Sequence, residues 1–114
     1  QQQIQVLKEV ILKNPNGFTS DFNGNIINKE KGFFVSITNI KGKQINRLIN
    51  KILFIKHNGF KDNKNLKFGY WKEEDIHYTD LSLYVKDLNL CKTIGKIFNQ
   101  KAIFDLNKFE SIYL

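Results

Sequence analysis

The sequence contains little cysteine, proline or arginine, and these scarcities limit what the protein can be. Its 114 residues include one cysteine, Cys91, which cannot form an internal disulfide, so a disulfide-stapled secreted scaffold is excluded. No apolar run approaches the roughly 20 residues that a membrane-spanning helix needs, and Gln1–Gln5 lacks the pattern of a signal peptide. A single domain of this length buries enough surface for a hydrophobic core.

Lysine, asparagine and isoleucine dominate instead, supplying 46 of the 114 residues. Their codons are AT-rich, so an AT-rich bacterial or phage genome is the simplest source of the bias. Hydrophobic residues at 41% and aromatic residues at 13% exclude disorder of the whole chain. Because codon bias alone can add lysines, their placement is more informative than their number.

The positive charge is concentrated in one third of the chain. Residues 29–67 contain ten basic and two acidic residues, whereas the remainder contains eight basic and nine acidic residues, within a total net charge of +7. This asymmetry favours a positive surface that faces an anionic partner. A lysine-rich solvated helix followed by a flexible loop is the alternative interpretation.

Hydrophobic periodicity and turn residues predict three helices and six strands. The predicted helices are Gln3–Lys13, Lys41–His57 and a helix through Phe98 that Asp87 caps, with Leu90, Cys91, Ile94, Ile97 and Phe98 directed inward. The predicted strands are Phe18–Phe22, Ile26–Lys29, Gly32–Thr38, Leu66–Trp71, Ile76–Val85 and Lys101–Leu106.

The order of these elements from Gly32 onward predicts an α+β, ferredoxin-like βαββαβ core, with an antiparallel four-stranded sheet and two helices on one face. The chain is predicted to be one domain, residues 1–114. Residues 1–31 form an N-terminal helix and β-hairpin extension, residues 32–106 the core, and residues 107–114 a tail. The extension is expected to cover an edge strand or part of the open sheet face.

Alternation along the strands predicts the side chains of the open face. They are Phe34, Ser36, Thr38, Tyr78, Asp80, Ser82 and Tyr84, with Asp105 on the same side. Aromatic residues on such a face stack bases in ferredoxin-like RNA-binding proteins, but carboxylates there repel phosphate. We therefore favour the interpretation that the N-terminal elements cover these aromatics as a second small core.

The second helix and the loop after it carry the predicted contact surface. Lys43, Arg47 and Lys51 recur at every fourth position, and Arg47 is the only residue suited to bidentate phosphate or carboxylate contacts, unless it is an ordinary surface arginine. The candidate partner- or nucleic-acid-binding residues are Lys41, Lys43, Arg47, Lys51, Lys56, Lys61, Lys64, Lys67 and Trp71. Trp71, beside an acidic turn, is either a protein-partner contact or a strand-end residue that packs on the N-terminal helix.

The sequence contains no catalytic motif. His57, His77 and Cys91 lack metal-ligand spacing, and no glycine-rich phosphate loop is present, so we expect neither a metal nor a cofactor, and no enzyme. Asp80 and Asp105, if they share the sheet face, are a weak candidate pair for Mg²⁺.

Four segments resemble a pattern in small accessory proteins of phages, plasmids and other mobile elements of AT-rich bacteria. They are GFFVSITN (Gly32–Asn39), FGYW (Phe68–Trp71), DLSLYV (Asp80–Val85) and NQKAIFDL (Asn99–Leu106), and the resemblance spans about residues 17 to 112. Proteins of this kind include anti-CRISPR inhibitors, which dock on RNA-guided nucleases.

The resemblance implies a cytoplasmic protein of a bacterial host cell that binds no membrane. Its expected function is that of a non-enzymatic, anti-CRISPR-like inhibitor that docks on a defence nuclease through the basic helix and loop. The alternatives are a stand-alone RNA- or DNA-binding accessory protein and, third, a small metal-dependent nuclease.

Overall fold

The computed structural model describes residues 2–27 and 31–114, and within them the chain forms three helices and one antiparallel sheet of six strands. In chain order the elements are α1 (Gln2–Lys13), β1 (Phe18–Ser20), β2 (Phe33–Gly42), α2 (Ile45–Gly59), β3 (Leu66–Glu73), β4 (Ile76–Val85), α3 (Leu88–Ile97), β5 (Ala102–Asp105) and β6 (Glu110–Tyr113). The strand order across the sheet is β1-β3-β4-β2-β5-β6. The predicted α+β class is confirmed, but the sheet has six strands where four were predicted for the core.

Both added strands lie at the edges of the sheet. β1 pairs with β3, Phe18 opposite Tyr70, and so covers the β3 edge. At the other edge, residues that the sequence predicted as a tail form β6 against β5. The connecting turn is stabilised by the Asp105 carboxylate, whose Oδ1 accepts the backbone N–H groups of Asn107 at 2.8 Å and Lys108 at 3.3 Å.

The helices cover one face of the sheet, which is called the covered face below. Alternate residues of β4, Leu81 and Val85 among them, point into the apolar core that the helices close. Leu7 of α1 packs with Ile49 of α2 in one cluster, and Cys91 of α3 packs in a second. Helix α1 therefore lies beside α2 on this face and not on the opposite one, whereas β1 covers the β3 edge, one of the two positions expected for the extension.

Two boundaries differ from the predictions because strand pairing continues further than the local sequence suggests. β2 pairs with β4 as far as Gly42 opposite His77, so α2 begins at Ile45 instead of Lys41. A bulge between Ser36 and Thr38 also places Thr38 opposite Leu81. Thr38 thus belongs to the covered face, contrary to simple alternation.

The predicted N-terminal hairpin is reduced to one bridge, Ser20 to Ile26. The Asp21 carboxylate accepts backbone N–H groups from Asn23 and Asn25, which closes a tight loop in place of a ladder. The end of the predicted second strand, with Lys29, lies outside the described residues.

Helix α3 begins as predicted, with the Asp87 carboxylate accepting the Leu90 N–H at 2.8 Å. Its buried side is as predicted at Cys91 and Ile94, but the prediction is wrong at Leu90, Ile97 and Phe98, which are 52%, 69% and 42% exposed. Cys91 is completely buried, and burial raises the pKa of its thiol to about 11.

Gly95 permits α3 to approach the sheet closely. A β-carbon at this position would lie 3.2 Å from Ile103 Cγ2, tighter than an ordinary contact. None of the helices in residues 2–27 and 31–114 has the length and apolar character that a membrane crossing requires.

Candidate binding sites

The structure divides seven of the eight predicted basic residues between two surfaces. Arg47 and Lys51 are exposed one turn apart on α2, whereas Lys43 is exposed just before the Gln44 cap and not on the helix as predicted; the three together are called the basic ridge below. The other four lysines, at positions 56, 61, 64 and 67, line a groove beyond the carboxyl end of α2, called the basic groove. At about 100° per residue, Lys56 is rotated about 140° from Lys51 around the helix axis. The ridge and the groove therefore face different directions.

The basic groove has a volume of about 540 Å³ and lies between α2, the loop 60–65 and the turn after β1. Lys56 Nζ is 4.4 Å from the centroid of the buried Phe22 ring, a cation–π contact that fixes this ammonium group at the wall of the groove. Asp21 and Asp62 also line the groove. Two carboxylates thus offset two of the four positive charges.

Asp21 stays ionised in this groove. Burial alone would raise its pKa, but the side-chain and backbone hydrogen bonds from Asn25, the backbone N–H of Asn23 and the charge of Lys67 outweigh it and lower the pKa below the usual value. The groove therefore keeps an anion within its cationic wall.

The basic ridge lies in a stretch of sequence without acids. The sequence contains no acidic residue between Lys31 and Lys61. The Gln44 side chain makes no capping hydrogen bond to α2, and the first turn holds Arg47 but no acid. A cation in the first turn of a helix opposes the helix dipole, so Arg47 does not serve the stability of α2.

Two predicted contact residues lie apart from both basic surfaces. Lys41 and Trp71 flank Tyr78 on neighbouring strands, and alternation directs all three to the face opposite the helices, called the open face. The Trp71 ring stacks on the Tyr78 ring, with centroids 5.1 Å apart and planes 4° apart. Trp71 therefore packs within the sheet, and the alternative in which it packs on α1 is wrong.

A cavity of about 510 Å³ occupies the open face. Phe34, Trp71, Phe104 and Phe109 are the aromatic residues that line it from this face, and Ser36, Asp80 and Ser82 are polar residues at its floor. Phe34 is braced by Tyr84, whose ring meets it edge-on at 6.0 Å. Helix α1 does not cover the predicted aromatics of the open face, but Gly17, Thr19 and Ile27 line the same cavity, and Phe34 is buried.

Asp80 occupies the centre of this floor because of the register of β3 and β4. Its strand partner is Gly69, and a β-carbon at position 69 would overlap Asp80 Oδ1, so the carboxyl group uses the space that a side chain would fill. Asp80 is 9% exposed. Ser82 Oγ donates a long hydrogen bond to Oδ1, at 3.4 Å.

Burial dominates the electrostatics of Asp80. Desolvation raises its pKa to about 6, although hydrogen bonds from Ser36, Ser82 and the Gly69 backbone act in the opposite direction. Of the described residues that line the cavity, Asp80 alone carries a charge at neutral pH. The site therefore combines aromatic walls with one buried, titratable carboxyl group.

Asp105 does not join Asp80. It lies opposite Phe33, on the covered face, and binds the backbone of the β5–β6 turn. The expectation that the two carboxylates share a face is wrong, because the pairing of β2 with β5 gives Asp105 the opposite orientation. Within the described part of the chain, no group of three His, Cys, Asp or Glu side chains could hold a metal ion.

Sequence reasoning missed Phe104 and Phe109. Phe104 pairs with Phe34 across β2 and β5, and alternation with Ile103 could have indicated its direction. Phe109 lies in a turn with a φ of 52°, where no periodicity exists. Comparison of the chain with protein-family models, curated proteins and solved structures finds no match.

Proposed function

We propose that this chain is a non-enzymatic binding protein that docks on an anionic macromolecular surface, with the basic ridge as its principal contact. One observation carries the proposal: Lys43, Arg47 and Lys51 are exposed in a stretch of sequence without acids, and Arg47 lies in the first turn of α2, where a cation is unfavourable. A side chain that destabilises its own helix is expected where binding requires it. The basic groove adds positive charge on a second flank.

The partner class that we propose first is an RNA-guided defence nuclease, which would make the protein an anti-CRISPR-like inhibitor. Such a partner presents both acidic protein surface and phosphate, and either suits the guanidinium of Arg47. Direct binding of RNA or DNA is the second candidate, because phosphate contacts need only the same cations. The metal-dependent nuclease is not retained, since Asp80 and Asp105 lie on opposite faces.

We also infer that β2 to β5, with α2 and α3, form a ferredoxin-like core. The inference is supported by the order β3-β4-β2-β5 of the four central strands. Each helix joins two strands that are separated by one other strand, as a split β-α-β arrangement requires.

A charge reversal on the ridge tests the docking proposal. Arg47→Glu is compared with Lys86→Glu, which changes the net charge equally at an exposed lysine just before α3. The probes are a guide-loaded nuclease, the same nuclease without its guide, and single-stranded RNA, at about 0.15 M salt, where surface charges are screened beyond roughly 8 Å. We expect Arg47→Glu to weaken binding to the nuclease at least tenfold and Lys86→Glu to leave it unchanged.

The same titrations separate the two candidates. Binding of RNA alone, with a salt dependence whose slope falls by about one in Arg47→Ala, would favour the nucleic-acid-binding function. Equal losses in Arg47→Glu and Lys86→Glu would contradict the ridge as the contact surface.

A further inference from the structure

We propose that the open-face cavity is a binding site for a small organic cation, an ammonium group attached to an apolar or aromatic body, whose charge pairs with Asp80. The site is separate from the basic ridge and the basic groove, so it does not depend on the docking proposal.

The size and walls of the cavity suit such a ligand. Its volume of about 510 Å³ falls in the range of roughly 300–1,000 Å³ that small-molecule sites occupy. Phe34, Trp71, Phe104 and Phe109 surround the floor. Aromatic rings attract ammonium groups through their electron-rich faces, and cages of such rings recognise organic cations in other proteins.

The negative charge of Asp80 favours a ligand with a positive charge. Asp80 is the one charged group among the described lining residues, and Ser36, Ser82 and the Gly69 N–H offer it only neutral hydrogen bonds. A buried carboxylate without a cation is unfavourable, and a ligand cation would supply the missing pair. A phosphate or nucleotide would instead meet a carboxylate in an apolar surrounding and be repelled.

Gly69 makes the carboxylate accessible from the cavity. Its missing side chain leaves the space above β3 that the Asp80 carboxyl group occupies. Alternation and the β3–β4 register direct that group to the open face. The carboxylate is thus presented at the floor of the cavity, below the level of the aromatic walls.

A matched pair of probes tests the proposal. Benzylamine, which is protonated at neutral pH, and benzyl alcohol have nearly the same shape but differ by one charge. The fluorescence of Trp71, the only tryptophan, and the amide NMR signals of Gly69 and Ser82 report occupancy. We expect saturable binding of benzylamine at least tenfold tighter than that of benzyl alcohol.

Two carboxyl variants locate the charge that is responsible. Asp80→Asn should abolish the preference for benzylamine and leave the affinity for benzyl alcohol unchanged, whereas Asp105→Asn, which removes an equal charge from the covered face, should retain the preference. If Asp80→Asn does not fold, Phe109→Ala removes an aromatic wall at a residue that is 62% exposed and should weaken benzylamine binding severalfold.

Three results would overturn the proposal. They are no saturable signal with about 50 mM benzylamine, equal affinities for the two probes, and equal losses in Asp80→Asn and Asp105→Asn.

Discussion

The two faces of the sheet treat the same chemical group in different ways. On the covered face, Asp105 stands at the end of β5, and the N–H groups of Asn107 and Lys108 satisfy its carboxylate. On the open face, Asp80 lies in the middle of β4, where hydrogen bonds from Ser36, Ser82 and the Gly69 backbone do not offset the cost of its burial. The first carboxylate builds a turn, whereas the second reduces stability and remains accessible to a ligand. A group retained against stability indicates function.

The largest effect is expected from filling the space that Asp80 uses. Gly69→Ala would force its β-carbon into Asp80 Oδ1, and overpacking of this kind costs about 1–3 kcal/mol. Urea denaturation should show a loss near the upper end of that range. Gly59→Ala is the matched control, because nothing lies within 4 Å of its new methyl group. Similar stabilities of the two variants would show that the carboxyl group moves away freely.

A second prediction concerns the charge itself. The pKa of Asp80 is about 6 in the folded protein against 3.8 for an unperturbed aspartate. Below about pH 4, Asp80 is protonated in both the folded and the unfolded state. Between about pH 4 and pH 6, only the folded state keeps the proton, and above about pH 6 Asp80 is ionised in both states. The carboxylate therefore destabilises the fold progressively from about pH 4 to pH 6, by up to about 3 kcal/mol above that window.

Asp80→Asn should consequently stabilise the protein at pH 7, and this gain should disappear near pH 4. Denaturation curves recorded across this range for the variant and for the original chain measure the difference. Asp105→Asn should show no such gain, because its acceptor is used by the β5–β6 turn. A gain at Asp80→Asn that is independent of pH would contradict the electrostatic explanation.

A smaller loss of stability is expected from a change on the covered face. Asp87→Ala removes the cap of α3, at a cost of about 1 kcal/mol. The open-face cavity should be unaffected, so benzylamine binding should not change while the melting temperature falls. Asp62→Ala, in an exposed loop, serves as the control. Loss of benzylamine binding in Asp87→Ala would mean that the two faces are coupled.

The smallest effect is expected on the outer surface of α2. Arg47→Glu places an acid in the first turn of the helix and should raise stability by about 0.5 kcal/mol through the helix dipole. Thermal unfolding at low salt is the measurement. Increased stability together with lost docking would separate function from folding at this position, whereas lost stability would show that Arg47 has a structural role.

Local signals in the sequence predicted the local parts of the fold. The apolar spacing of α1, the acidic turn between β3 and β4 and the Asp87 cap each depend on a few neighbouring residues, and each is confirmed. The buried side of α3 was predicted correctly at Cys91 but wrongly at Leu90, Ile97 and Phe98, because periodicity favours large apolar residues. The small size of Cys91 and Gly95 lets the helix approach β5, and the larger residues are left exposed.

The sites were harder to predict than the elements. The cluster of basic residues was visible in the sequence, but its division between a ridge and a groove depends on where α2 begins and how it turns. Asp80 was singled out, yet it was assigned to a pair with Asp105. The register of β2 against β5, strands about 60 residues apart in the chain, decides that question, and no local pattern encodes it.

The thiol of Cys91, on the buried side of α3, can report how often this helix separates from the sheet. Cys91 is completely enclosed and its pKa is about 11, so an alkylating reagent at mild alkaline pH has almost no thiolate to attack while the helix is docked. Alkylation then proceeds only during local openings in which α3 separates from the sheet. The rate of alkylation, measured as the increase in protein mass, therefore reports the frequency of these openings without an added probe site.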